Sequence, residues 1–119
     1  MFHAWLSDAT GSAYDRMLDV GPWYNTSDEV VFASKSDLRG APAAALLDEY
    51  GDPLSAAGAW TGTSATGEAS GHDCEGWTNA GAEVLATTGT ARDGDQAWGG
   101  GAATSACNGT ASLICFQQP

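Results

Sequence analysis

Basic residues are scarce in this chain. Four Lys and Arg stand against 15 Asp and Glu, a net charge of -11 over 119 residues. Lys35, Arg16, Arg39 and Arg92 are isolated from one another, so no basic patch attracts phosphate or sulfate polymers, and charge argues against nucleic acid and heparin as partners. Large aliphatic side chains are scarce too. Of 51 apolar residues 22 are Ala, and Leu, Ile, Val and Phe together number 16, a fraction that points towards disorder when net charge is high. No apolar stretch approaches the ~20 residues of a membrane span, so no transmembrane segment is expected. Met1 to Leu6 lacks the basic start and apolar run of a signal peptide. An even number of cysteines is also missing, since Cys74, Cys107 and Cys115 leave one thiol over. Either the protein is reduced and these are small buried apolar residues, or a disulfide framework has a partner outside this chain. Composition leaves both readings open.

Five Trp argue against disorder. Trp5, Trp23, Trp60, Trp77 and Trp98 are spread along the whole chain, and each buries enough area to organise a small core that the aliphatics alone could not. One domain spanning 1–119 is expected, loop-rich with a modest aromatic core. Phe2 to Ser7 alternates loosely and reads as a strand, so Met1 starts almost inside one, and sequence upstream of it is expected. Tyr14 to Leu18 reads as a helical turn broken at Gly21-Pro22, Pro22 to Tyr24 as extended, and Val30 to Phe32 as an extended apolar run. Ser34, three residues before Asp37, is a capping-box signal for one or two turns that stop at Gly40. Ala43 to Leu47 reads as extended before the turn Tyr50-Gly51-Asp52-Pro53. Gly58 to Gly62, Cys74 to Thr78 and Ala111 to Phe116 read as strands. Thr63 to Asp73 and Ala86 to Ala106 have the composition of long surface loops.

Chemical motifs are few. Gly99-Gly100-Gly101 precedes Ala102 rather than a cation and hydroxyl, so no phosphate cradle forms. Gly62 to Gly67 lacks the Gly two residues after Ser that a nucleophile elbow needs. His72 stands two residues from Cys74, but the paired ligand spacings of structural zinc are absent, so neither a metal nor any other cofactor is expected. Asp93-Gly94-Asp95 departs from the calcium-loop pattern at Ala97 and Trp98. Asn25-Thr26-Ser27 and Asn108-Gly109-Thr110 match glycosylation acceptors.

Taken in order, Phe2-His3-Ala4-Trp5-Leu6-Ser7, Asp28 to Ser34, Ala59-Trp60-Thr61-Gly62, Cys74-Glu75-Gly76-Trp77 and the tail from Cys107 to Cys115-Phe116 resemble endostatin, the C-terminal domain of collagen XVIII. The likeness is closer to the endostatin-like domains of secreted or surface bacterial proteins. The resemblance implies an α+β, C-type lectin-like fold with a twisted, mainly antiparallel sheet, short helices and long loops. It implies a bond between Cys74 and Cys107, and an unpaired Cys115 whose family partner lies upstream of the first strand, in a missing N-terminal segment with a helix and an export signal. The family's arginine cluster and N-terminal histidines have no counterpart here. The place of the lectin calcium triplet reads Trp98-Gly99-Gly100, without side-chain oxygens.

The reading that follows is a non-enzymatic, secreted or cell-surface adhesion module. It recognises an extracellular protein or glycan through the loops Thr61 to Asp73 and Ala86 to Ala106. The rivals are a surface glycan hydrolase using Asp93 and Asp95, and a passive domain of a larger envelope protein. Trp5, Trp60, Trp77 and Leu113 are the expected core.

Overall fold

Short apolar runs separated by Gly, Pro and Asp turns can form only short strands, and the computed structural model, which describes residues 1–54, 58–90 and 96–119, shows just that. In chain order the elements are β1 (Phe2–Ala4), the helical turn α1 (Ala13–Arg16), β2 (Trp23–Tyr24), β3 (Val30–Phe32) and a 3-10 turn (Lys35–Arg39). Next come β4 (Ala59–Trp60), a helical turn at Cys74–Trp77, β5 (Leu85–Gly89), another 3-10 turn (Gln96–Gly99), β6 (Thr104–Ala106) and β7 (Cys115–Gln117). The strands form three small antiparallel sheets, β1-β7, β2-β3 and β4-β5-β6. Backbone bonds stitch them together: Trp5 N–H donates to Ile114 O, Ser7 N–H to Thr61 O, and Trp60 N–H to Ser112 O. The result is a small domain of mixed α+β class, with antiparallel sheets and few short helices.

The core is a contiguous set of aromatic rings. Trp98 lies 4.9 Å from Trp5 and 4.8 Å from Phe32, centroid to centroid, and Phe116 contacts Trp5, Trp23, Phe32 and Trp98. Met17, Val31, Leu38 and Ile114 fill the space around them. A buried indole needs an acceptor. Trp5 Nε1 donates to Gly99 O, Trp98 Nε1 to Gly40 O and Trp23 Nε1 to Gln117 O, so the same side chains that supply apolar area also pin distant loops. Gly99 and Gly100 make this close approach feasible. A Cβ on Gly100 would lie 1.8 Å from Thr63 O, and one on Gly99 would lie 2.6 Å from Trp5 Nε1.

Several expectations are corrected. Residues 86–106 are not one long surface loop: β5, the middle strand of the three-stranded sheet, runs from Leu85 to Gly89 and is buried over its last four residues, and Trp98 is a core side chain at 1% exposure. Leu113 is not core. From Leu113 to Gln118 burial alternates strictly, with Ile114, Phe116 and Gln118 inward and Leu113, Cys115 and Gln117 outward, so strand parity leaves Leu113 55% exposed. Trp60 and Trp77 are half-buried and lie apart from the ring cluster, packed with Val84 around Cys74, Ala86 and Cys107. Residues 43–47 form no strand, although Leu47 bridges Pro53 across the turn at 48–52, where Gly51 takes φ +83°.

Cys74–Trp77 is also not a strand. Cys74, Glu75, Gly76 and Trp77 take φ of 54°, 54°, 71° and 64°, a left-handed helical turn in which Trp77 N–H donates to Asp73 O at 2.8 Å. Only Gly76 adopts this conformation freely; the others cost about 1–2 kcal/mol each. One local cap and two tertiary ties offset that cost. Asp73 caps the turn by accepting from Gly76 N–H, Cys74 is bonded to Cys107, and Trp77 Nε1 donates to Ser7 O at 3.1 Å. The disulfide and the indole bond are invisible to local propensity.

Candidate functional site

The segment 61–73, which the sequence assigns to a recognition surface, is tied down at its base and tip. Thr61 and Thr63 are fully buried at its base, where Thr63 Oγ1 bonds Ser7 Oγ at 2.9 Å and donates to Thr61 O at 2.7 Å. The tip folds back through Ser64 N–H to Glu68 O. It is clamped from outside by Arg39, which donates from Nε to Thr66 O and from Nη2 to Glu68 Oε1, both at 3.1 Å. Tyr14 N–H donates to Gly67 O, and the Arg39 guanidinium lies 3.7 Å over the Tyr14 ring with Lys35 at 4.8 Å. Three of the chain's four basic residues are thereby spent on packing, since Arg16 pairs with Asp8 at 2.6 Å. Arg92 and the expected acid pair Asp93 and Asp95 lie outside the described residues.

Among the described residues, Asp8 is the one carboxylate driven well below its ordinary range. The Thr10 hydroxyl and backbone N–H, then Arg16, hold it at about 2 by stabilising the ionised form. It serves the turn before α1. The imidazoles of His3 and His72 are exposed, and neither hydrogen-bonds a nucleophile or a carboxylate among the described residues.

Beside an opening along Val31, Asp37, Arg39 and Ala43, two concavities among the described residues are walled by aromatic side chains. The larger is a groove of about 840 Å³ whose apolar walls come from Phe2, Trp23, Tyr24, Leu46, Leu54 and Leu113. Phe2 is 70% and Tyr24 59% exposed, so much of this apolar surface faces water. Asn25, Asp48, Glu49 and Gln117 form its polar edge, and no Lys, Arg or His is among the residues that line it. The edge is rigid. Asn25 Nδ2 donates to Ala45 O, Thr26 Oγ1 to Asp48 O, and Asp48 Oδ1 accepts from the backbone of Tyr50 and Asp52. Cys115, the free and exposed thiol, opens onto the same groove. The smaller concavity, about 220 Å³, lies over the disulfide between Trp60 and Trp77, with Thr78 and Asn79 beside them.

Cys74 and Cys107, the pair that the endostatin resemblance implies, are bonded, with Cα atoms 5.8 Å apart. Trp5 lies in the ring core and Trp60 and Trp77 line the smaller cleft, whereas Leu113 lines the groove. Sequence reasoning missed Tyr24, Leu46 and Leu54 as one surface, because they are scattered over 31 positions and converge only through the β2-β3 hairpin and the 48–52 turn. Exposed apolar residues next to turn-formers were the available signal. Among the described residues no group of His, Cys, Asp and Glu could hold a metal ion, and no helix is long and apolar enough to cross a membrane. No protein-family model matches the chain. No curated protein matches it either.

Proposed function

We propose that this domain is a non-enzymatic binding module of secreted or cell-surface location, related to endostatin-like domains, and that the groove between Phe2, Tyr24 and Leu113 receives a segment of a partner protein. One observation carries the reading: an open, apolar groove with a hydrogen-bonded polar edge, on a chain of net charge -11. Exposed apolar patches of this kind, rimmed by polar groups, mark interaction sites. Asp48 and Glu49 on its edge, together with a net charge of -11, fit an occupant with apolar anchors flanked by Lys or Arg. The disulfide fits an oxidising compartment.

An array of peptides carrying Leu and Phe pairs, flanked by either Lys and Arg or Asp and Glu, tests the reading. Binding confined to basic-flanked peptides is expected. It weakens as salt rises and is lost in Tyr24→Ser and Leu113→Ser variants of unchanged melting temperature. Retention of acidic-flanked peptides, or binding indifferent to both substitutions, overturns it.

A further inference from the structure

We propose that the cleft between Trp60 and Trp77 binds one neutral pyranose ring, at a site separate from the protein-binding groove. A pyranose presents a face of C–H groups and a rim of hydroxyls, so it needs aromatic walls with hydrogen-bonding groups beside them, and each hydroxyl both donates and accepts. The cleft supplies this combination. Trp60 and Trp77 are its half-buried walls, and at about 220 Å³ it is smaller than the ~300 Å³ at which drug-sized pockets begin, so it takes a single ring.

The polar groups at the cleft have capacity left over. Trp77 Nε1 is committed to Ser7 O, which fixes that ring, but Trp60 Nε1 has no partner among the described residues. Asn79 donates one N–H to Glu75 Oε2 at 3.0 Å and accepts from Gly81 N–H at 2.8 Å, so its amide is oriented while a second N–H and a second lone pair stay available. Thr78 Oγ1 spends its proton on Glu75 O at 2.6 Å and remains an acceptor. Two donors and two acceptors are therefore held ready on a floor made rigid by the Cys74–Cys107 bond.

Charge narrows the class of sugar. The lining carries no charged side chain, while Asp73, Glu75 and Glu83 flank it in the chain, so uronates, sialylated and sulfated rings are repelled.

Indole N–H resonances of the isotope-labelled protein give the test, in titrations with the methyl glycosides of glucose, galactose, mannose and N-acetylglucosamine, and with glucuronate as control. The expected result is a saturable shift confined to Trp60 and Trp77 for at least one neutral glycoside, with a Kd of about 1 mM as befits one ring. Asn79→Ala, an edge substitution that leaves the walls intact, should weaken binding about tenfold, and glucuronate should produce no shift. Leu113→Ser and Tyr24→Ser should leave the sugar response unchanged, so failure of the groove and failure of the cleft are read separately. Absence of a saturable shift with all four glycosides overturns the proposal. So does an equal response to glucuronate, or Asn79→Ala binding with unchanged affinity.

Discussion

At Asp8 the carboxylate accepts from the Thr10 hydroxyl at 2.6 Å, from Thr10 N–H at 2.8 Å and from Arg16 at 2.6 Å, and its pKa falls to about 2. A group whose pKa is depressed by folding contributes stability above its ordinary pKa near 4, and that contribution is lost as pH falls through the folded value. The chain should therefore lose stability between about pH 4 and pH 2 more steeply than Asp8→Asn, so the gap between their urea midpoints, widest at pH 7, should narrow over that window. Glycine positions make a second comparison. A Cβ at Gly100 would strike Thr63 O, whereas one at Gly71, with φ +87°, would meet nothing within 4 Å. Gly71→Ala should cost only the left-handed penalty, about 1 kcal/mol, and Gly100→Ala about 3 kcal/mol or more, because the backbone oxygen of the fully buried Thr63 cannot move aside. Denaturant melts of the two variants check the difference.

Strands of two to five residues cannot hold themselves together, so the elements here depend on tertiary packing, much of it around the ring cluster. Trp98 shows this best. It sits in a 3-10 turn of four residues, contacts Trp5, Phe32 and Phe116, and ties its own turn to Gly40 through Nε1. Trp98→Ala should cost about 3–5 kcal/mol, as large-to-small changes in a packed core do. Trp77→Ala should cost less, since its ring is half exposed, though the loss of its bond to Ser7 O adds to the effect. Leu113→Ser, on the outward face of the last strand segment, should stay within about 0.5 kcal/mol of the parent. Urea midpoints at constant m-value rank the three.

Over the whole molecule, covalent topology and net charge act in opposite directions. The Cys74–Cys107 bond closes a loop of sequence separation 33, worth about 4 kcal/mol in the chain-entropy model, so Cys107→Ser should lower the urea midpoint by a corresponding amount. Under non-reducing, denaturing conditions the monomer should titrate with one thiol per chain, Cys115; three thiols, or one that maps to Cys74 or Cys107, would contradict the pairing. Eleven uncompensated negative charges repel one another in the compact state. Added sodium chloride should therefore raise the melting temperature of the protein until the charges are screened, near a few tenths molar.

Where a residue's role depended on local chemistry, it was legible before folding. Gly51 in its turn, Gly40 at a helical end, the Val30–Phe32 strand and the need for Trp to build a core all follow from side-chain shape and backbone preference. The charge likewise argues, before any folding, against polyanionic partners. Three-dimensional packing decided the rest. It turned Cys74–Trp77 left-handed against its propensities, because a disulfide, a cap and an indole hydrogen bond outweigh local strain. It drew the Gly- and Thr-rich segment with β5 and Trp98 into the centre, since small residues there let backbones approach that larger ones would hold apart. It set the parity that turned Ile114 and Phe116 inward and Leu113 outward, and it gathered Phe2, Tyr24, Leu46 and Leu113 from four parts of the chain into one groove. Composition reports what each side chain prefers, but only the closed fold determines which preferences are met and which are left facing solvent.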